Sequence, residues 1–205
     1  MRKKLKEFGK NKNKKVILKK IEGLTIENRL ALNQPVPTDV LAEIKTCDVL
    51  LKGPTTTPMG GKMESANVTL RRELDLYANV RPVSIPEEGI DWVFYRENSE
   101  GEYAGAGDWL YRGQENEIVL QTGVFSRKGT ERIIRYAFEL ARKEKKTLTS
   151  ISKGNALNYS MVFWDSVFAE VAKEYPDVKT ASYLVDAASM FFVKDPKRFE
   201  VVVTS

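Results

Sequence analysis

With 205 residues, 42% of them hydrophobic and 30% charged, the chain has the composition of a globular protein of one large or two small domains. It has no histidine and a single cysteine, Cys47, which excludes Ser-His-Asp and Cys-His nucleophiles, histidine metal sites and disulfides built within the chain. No apolar run is long enough for a membrane span, and the low cysteine count fits a reducing compartment, so a cytoplasmic protein is expected.

The net charge of +5 is distributed unevenly along the chain. Residues 1–20 hold ten of the 33 Lys and Arg residues and one of the 28 Asp and Glu residues, so the rest of the chain is mildly acidic. A lysine-rich start on an acidic body favours a solvated segment over a nucleic-acid-binding arm. We therefore expect neither a nucleic-acid partner nor a membrane partner.

The elements of the first third are predicted from apolar patterns and turn residues. They are the end of a helix at 2–8, a strand at 15–21, a short helix at 40–46 and a buried strand at 48–52. The stretch KGPTTTPMGGKMES that follows is dense in Gly, Pro and Thr, which predicts a loop. Ser65 is then a plausible N-cap for a helix that extends to Tyr77.

The rest of the chain alternates strands and helices. Two strands are predicted at 80–85 and 91–97, then a loop at 103–107 and a hairpin with arms at 109–111 and 118–122. The following elements are an amphipathic helix capped by Thr130, a strand at 148–152, a helix at 159–174, a strand at 183–186, a helix at 187–193 and a strand at 199–204. This alternation predicts an α/β layered fold.

Three arginines on different predicted elements are the first candidates for a binding site, namely Arg71, Arg81 and Arg96. Guanidinium groups bind carboxylates through two parallel hydrogen bonds, so several that converge on a cleft would hold a polyanion. Taken singly, each arginine is more simply explained as one member of a surface ion pair. Asn67 lies four residues before Arg71 and would share its helix face.

Three further residues have side chains suited to acid-base or metal chemistry. Tyr103 follows the string RENSEGE and could donate a proton, or could simply be a packed aromatic residue. Lys153 follows a predicted strand and could carry a proton, although a solvated lysine is the simpler interpretation. Asp186 lies among apolar residues, where it could cap the next helix or bind a hard metal ion. Without histidine, carboxylates that suit Mg²⁺ or Mn²⁺ are the remaining metal ligands.

Four strings, read in order, carry a family resemblance. They are KGPTTTPMGGKMESANVTLRRELDLYANVRPV, RENSEGEYAG, SKGNALNYSMVFWD and YLVDAASMFFVKDPKRFEVVVTS. Together they resemble the isocitrate and isopropylmalate (β-decarboxylating) dehydrogenase family, from about Gly23 onwards. The resemblance implies an α/β fold with an incomplete large domain at 1–80 and a small dimerisation domain at 81–205. It also implies a β-hairpin arm at about 105–124, and a homodimer in which a lysine and an aspartate reach the active site across the interface.

The resemblance also assigns roles to individual residues. The positions that match substrate-carboxylate ligands are Ser65, Asn67, Arg71, Arg81 and Arg96. Tyr103 matches the catalytic tyrosine that protonates the enolate carbon, Lys153 the lysine that assists removal of the hydroxyl proton, and Asp186 one metal-binding aspartate. Thr56 and Thr57 match the loop near the substrate and the nicotinamide. The expected cofactors are NAD or NADP with Mg²⁺ or Mn²⁺.

The S-x-N-x-x-x-R pattern resembles the isocitrate branch, because a third carboxylate needs polar donors where isopropylmalate enzymes place apolar residues. The expected reaction is the oxidative decarboxylation of the tricarboxylate isocitrate to 2-oxoglutarate. Homoisocitrate or isopropylmalate oxidation is the alternative within the same family. The family's first strand and two further metal aspartates are not recognisable, so a partial chain is expected. A truncated, inactive member that acts as a dimerisation module is the alternative of a different class.

Overall fold

A computed structural model of the protein describes residues 15–58 and 63–205. It separates into two compact units, one ending at Leu70 and one beginning at Arg71. The predicted division into a large and a small domain at residue 80 stays a prediction. The predicted helix at 2–8 lies outside the described residues. Within the described parts of the chain, no helix is long and apolar enough to cross a membrane.

The first unit holds two short helices joined by irregular segments, α1 (Ile26–Leu32) and α2 (Thr38–Lys45). The helix predicted at 40–46 is therefore confirmed as α2. The strands predicted at 15–21 and 48–52 are wrong, since both segments are irregular and the Val49 side chain is 84% exposed. An apolar run becomes a strand only where another strand satisfies its backbone hydrogen bonds, and the described residues provide no such partner here.

Helix α3 (Ala66–Glu73) carries Asn67 and Arg71. As predicted, it begins directly after Ser65, whose Oγ accepts a hydrogen bond from the Asn67 backbone N–H at 3.3 Å. The helix ends four residues before the predicted end at Tyr77. The chain turns at Asp75, which has a φ of 47° in the left-handed region that Asp tolerates better than most residues.

The second unit is built on a five-stranded mixed sheet in the order β1-β2-β7-β5-β6. Its strands are β1 (Ala78–Ile85), β2 (Ile90–Glu97), β5 (Leu148–Ser152), β6 (Thr180–Leu184) and β7 (Val201–Thr204). Strand β1 is antiparallel to β2, and the other neighbouring strands are parallel. The pattern confirms the α/β class, because each parallel connection needs a crossover and helices supply it.

Helices cover both faces of this sheet. On one face, α4 (Arg127–Glu144) and α5 (Ser160–Ala172) bury a core that includes Ile133, Phe138 and Trp164. On the other face, α6 (Val185–Lys194) lies against a second core with Trp92 and Phe199. Strand β7 serves both cores, because Val201 and Val203 face the first and Val202 faces the second.

A separate two-stranded sheet forms the predicted hairpin, from β3 (Gly101–Leu110) and β4 (Ile118–Val124). The loop predicted at 103–107 is wrong, because these residues belong to β3. The glycines that suggested a loop instead permit a tight strand pair. Gly107 lies so close to the Leu120 carbonyl oxygen that a Cβ atom would collide with it.

Two helix starts differ from the predictions. Helix α4 begins four residues earlier, since Ser126 rather than Thr130 is its N-cap and accepts from the Gly129 N–H at 2.9 Å. Strand β6 ends at Leu184, so Asp186 lies in the first turn of α6 and does not cap it. The other predicted elements of this unit are confirmed, with ends shifted by a few residues.

Candidate functional site

The second unit joins two of the predicted arginines through a pair of asparagines. In the β1–β2 register, Asn79 lies opposite Arg96. Arg96 Nη2 donates to Asn98 Oδ1 at 2.9 Å, and Asn79 Nδ2 donates to the same oxygen at 3.2 Å. Arg81 Nε donates to Asn79 Oδ1 at 2.7 Å. The two amide groups therefore orient both guanidinium groups without neutralising them.

Tyr103 lies close to two of the predicted substrate-binding arginines. The guanidinium carbon of Arg71 is 5.8 Å from the centre of the Tyr103 ring, and that of Arg96 is 5.5 Å from it. Both distances are typical of cation–π contacts. The Tyr103 side chain is 41% exposed, so it remains accessible to a ligand. We call Arg71, Arg81, Arg96 and Tyr103 the arginine–tyrosine cluster.

Lys153 and Asp186 form a second group. The Lys153 ammonium donates to Asp186 Oδ2 in an ion pair. This hydrogen bond is the main cause that lowers the pKa of the Asp186 carboxyl below its usual value. The Asp186 side chain is exposed, and exposed ion pairs add little to stability. We therefore regard the pair as a candidate for chemistry rather than a structural element.

The backbone around Lys153 is held by a residue that the sequence analysis did not single out. Asp165 in α5 accepts a hydrogen bond from Ser152 Oγ at 3.0 Å, and its carboxylate lies against Gly154, where a Cβ would collide with it. Lys153 is thus fixed on both sides. In the sequence, Asp165 appears only as one acid at the end of the string SKGNALNYSMVFWD.

The sheet topology places both groups at one edge. Strands β2, β7, β5 and β6 are parallel, and Arg96, Lys153 and Asp186 lie at or just beyond the carboxyl ends of β2, β5 and β6. Since β2 and β5 both pair with β7, their backbones lie about 10 Å apart. Ligands of open α/β sheets bind at this edge.

The remaining predicted residues belong to the first unit. Thr56 and Thr57 are exposed in an irregular segment, and Ser65 and Asn67 are partly buried at the start of α3. The fully buried Arg29 holds the segment, because Nη1 donates to the Thr56 carbonyl at 2.6 Å. The sequence analysis missed Arg29, whose role depends on contacts distant in sequence.

The described residues do not make a complete site for Mg²⁺ or Mn²⁺. In residues 15–58 and 63–205, no three Asp, Glu, Cys or His side chains converge on a point that could hold a metal ion. Asp186 offers one carboxylate, and that carboxylate is paired with an ammonium group. Hard divalent cations need several oxygen ligands, so no chemical step can be derived through a metal from these residues alone.

Comparison with known proteins identifies the family to which the chain is similar. The family model described as "Isocitrate/isopropylmalate dehydrogenase" matches residues 1–205. A probable tartrate dehydrogenase/decarboxylase of Bacillus subtilis is 43% identical, with 66% of this chain and 41% of that protein covered. The D-malate dehydrogenase (decarboxylating) of Escherichia coli is 38% identical, with 83% and 52% covered. Further relatives are named as 3-isopropylmalate and isocitrate dehydrogenases.

Comparison with solved structures indicates the same family. The crystal structure of isocitrate dehydrogenase from Methylococcus capsulatus superposes with a TM-score of 0.79 at 39% identity, covering 88% of this chain and 55% of that one. The chain spans about half the length of the curated relatives named above. The match over the whole chain, together with the agreement in fold, shows that the chain belongs to the isocitrate/isopropylmalate dehydrogenase family.

Proposed function

We propose that the complete gene product containing these residues is a β-decarboxylating dehydrogenase acting on a 2-hydroxy acid with several carboxylates. One observation carries the proposal. The Tyr103 ring lies within 6 Å of two guanidinium groups, while Arg81 is tied to one of them through Asn79 and Asn98. A phenol among cations can bind a polyanion and give it a proton.

The cluster has two tasks in this reaction. Arg71, Arg81 and Arg96 bind the substrate carboxylates and so fix the position of the carbon that reacts. Tyr103 donates its proton to the enolate carbon left when CO₂ departs. The adjacent guanidinium groups offset the negative charge that forms on the phenol as it gives up this proton.

The second group acts at the other end of the substrate. Lys153 assists removal of the substrate hydroxyl proton by accepting it as a neutral amine, and Asp186 pairs with the ammonium group that results. The coenzyme, NAD or NADP, would take the hydride from the carbon that bears this hydroxyl. We propose Thr56 and Thr57 as contacts for the coenzyme. Asp186 would be one ligand of a Mg²⁺ or Mn²⁺ site whose other ligands lie outside the described residues.

For the substrate we propose isocitrate. The support is the pattern Ser65-x-Asn67 ahead of Arg71, which offers polar donors to a third carboxylate, and the similarity to isocitrate dehydrogenases. Smaller 2-hydroxy dicarboxylates are the second candidate. This alternative is favoured by the relatives named for tartrate and D-malate, which are comparably similar to this chain.

We further propose a homodimer that shares its active sites. An isolated two-stranded hairpin is at best marginally stable in water. The β3–β4 hairpin nevertheless exposes large apolar side chains, Val119 among them at 55% exposure, with Trp109 and Leu120 nearby in the same pair of strands. An apolar hairpin of this kind is well suited to pack against a second copy of itself.

The proposed reaction is tested by absorbance at 340 nm with isocitrate, Mn²⁺ and either NAD⁺ or NADP⁺. We expect the complete gene product to form reduced coenzyme at a rate proportional to protein concentration, with one equivalent of CO₂. D-malate, tartrate and 3-isopropylmalate are assayed in parallel. If one of them gives a higher kcat/KM than isocitrate does, that compound would be assigned as the substrate in place of isocitrate. The 205-residue chain is assayed alone beside it. A folded complete product inactive on all four substrates would favour the dimerisation module instead.

Substitution of Ser65 by alanine tests the isocitrate assignment. Because the third carboxylate is the only substrate group that the Ser65 hydroxyl would contact, we expect Ser65→Ala to lower kcat/KM for isocitrate by about tenfold to 100-fold. The value for D-malate should change far less. Thr69→Ala is the matched control, as it removes a hydroxyl one turn along α3 that donates to Glu64 Oε2 at 2.7 Å. Equal losses on both substrates would contradict the assignment.

A further inference from the structure

One arginine outside the arginine–tyrosine cluster contacts two chain segments that adjoin residues of that cluster. Arg132 lies in α4, and its side chain is 20% exposed. Its Nη1 donates to Asp75 Oδ1 at 2.7 Å, and its Nη2 donates to Ser99 Oγ at 2.7 Å. Its guanidinium carbon lies 4.4 Å from the centre of the Tyr77 ring. A single side chain therefore bridges points 24 residues apart in sequence.

Both contact points are next to groups of the cluster. Asp75 forms the left-handed turn that ends α3, four residues after Arg71. Ser99 lies in the turn between β2 and β3, three residues after Arg96 and four before Tyr103. Arg132 consequently links the element that carries Arg71 to the turn that separates Arg96 from Tyr103.

Several hydrogen bonds hold the turn at 97–100 together and connect it to α4. The buried Glu97 carboxylate accepts from Ser99 N–H at 2.9 Å, Ser99 Oγ at 2.6 Å and Glu100 N–H at 2.7 Å. The Glu100 carboxylate in turn accepts from Ser126 N–H at 2.8 Å, at the start of α4. A turn with this many internal bonds moves as one body, so a shift at Ser99 would also displace the start of β3.

The two bridging contacts require an arginine. A guanidinium group presents donors in a planar fork and can reach two acceptors on different segments, whereas a lysine ammonium sits at one point. The Arg132 Nε atom is buried and has no hydrogen-bond partner, so the side chain is not placed by that atom. Its position is set by the acceptors Asp75 and Ser99, with Glu97 3.8 Å away.

We propose that Arg132 is a positioning residue that sets the distance between the Arg71 guanidinium and the Tyr103 phenol, through Asp75 and Ser99. The inference rests on the proposed function, because it assigns Arg132 to the same site. Arg132 touches none of the four groups of the cluster. It acts by aligning the guanidinium group that binds a substrate carboxylate with the phenol that donates the proton.

The test uses the complete gene product and the best substrate from the 340 nm assay. We expect Arg132→Met to lower kcat/KM by about 100-fold, because small displacements of reacting groups have effects of this size. The KM for the coenzyme should stay unchanged. Arg135→Met is the control, since Arg135 lies one turn further along α4 and pairs with Glu131 and Glu174. Loss of activity in Arg135→Met equal to that in Arg132→Met would overturn the proposal.

A double-mutant cycle separates positioning from general destabilisation. If Arg132 acts through Tyr103, then Arg132→Met should lower kcat/KM by no more than about tenfold when Tyr103→Phe is already present. Independent, multiplicative losses would overturn the proposal. Asp75→Asn provides a milder variant should Arg132→Met fail to fold, because asparagine accepts the left-handed backbone at this position. It should reproduce part of the loss, and full activity in Asp75→Asn would again count against the link.

Failure of this inference is distinguishable from failure of the proposed function. If Arg96→Met and Tyr103→Phe strongly lower turnover while Arg132→Met does not, only the role of Arg132 is refuted. If Arg96→Met and Tyr103→Phe both leave turnover intact, the arginine–tyrosine cluster is not the active site, and the role proposed for Arg132 falls with it.

Discussion

Tyr103→Phe is expected to lower kcat by about 10²-fold to 10⁴-fold, the range typical of losing a positioned general acid. The substitution keeps the ring, and hence its contacts with Arg71 and Arg96, and removes only the hydroxyl. Substrate KM should therefore change little. Steady-state rates at saturating substrate measure the loss, and Tyr136→Phe in α4 controls for removal of a tyrosine hydroxyl elsewhere in the same unit.

Proton exchange tests the role of Tyr103 more directly than rate does. A group that protonates the enolate carbon also removes a proton from the same carbon of the product, by microscopic reversibility. Complete wild-type protein in D₂O should therefore exchange a proton at the 3-position of 2-oxoglutarate, as followed by proton NMR. We expect Tyr103→Phe to abolish this exchange. Exchange at the wild-type rate in the variant would assign the proton transfer to another group.

Lys153→Met is expected to lower kcat by a similar factor, about 10²-fold to 10⁴-fold, because it removes the proposed acceptor of the hydroxyl proton. The methionine side chain has nearly the same length and no charge. It also deprives Asp186 of its ion-pair partner. Stability should change little, since the Asp186 carboxylate is mostly exposed and ion pairs with exposed groups contribute little. Lys173→Met, at the exposed carboxyl end of α5, is the matched control.

The proposal that the homodimer shares its active sites provides a second test of Lys153. If Lys153 acts in the partner's active site, then mixed dimers of Tyr103→Phe and Lys153→Met chains contain one intact site each. Random mixing of the two inactive proteins should then recover about a quarter of wild-type activity. The measurement is the 340 nm rate after unfolding and refolding the two proteins together. No recovery, from samples shown by mass spectrometry to contain mixed dimers, would place Lys153 and Tyr103 in the same chain's site.

The sequence nominated the predicted site residues one by one, and the structure shows which of them lie in contact. The strings RENSEGEYAG and SKGNALNYSMVFWD were sufficient to nominate Arg96, Tyr103 and Lys153. The structure adds that Tyr103 lies against Arg71 and Arg96, and that Lys153 pairs with Asp186. Those contacts join residues up to 33 positions apart, which no local pattern encodes.

The errors in predicting elements have one physical origin. Apolar runs at 15–21 and 48–52 and a glycine-rich run at 103–107 were judged by their own composition. Whether such a segment becomes a strand depends on a neighbouring strand that satisfies its backbone groups. Gly107 illustrates the point, because its missing side chain allows the close approach of Leu120 in the adjacent strand. Helices α4 and α5 were predictable because their hydrogen bonds are internal and their apolar spacing is local.

The sequence by itself determined the family, the order of strands and helices from β1 onward, and the identities of the residues proposed for chemistry. Each of these follows from local patterns or from strings that can be compared directly. Only the tertiary structure decided which groups act together. The Asn79–Asn98 bridge between Arg81 and Arg96 and the contacts of Arg132 all join separate elements. Such contacts exist only once the sheet has brought those elements side by side, because side-chain hydrogen bonds reach no further than about 3 Å.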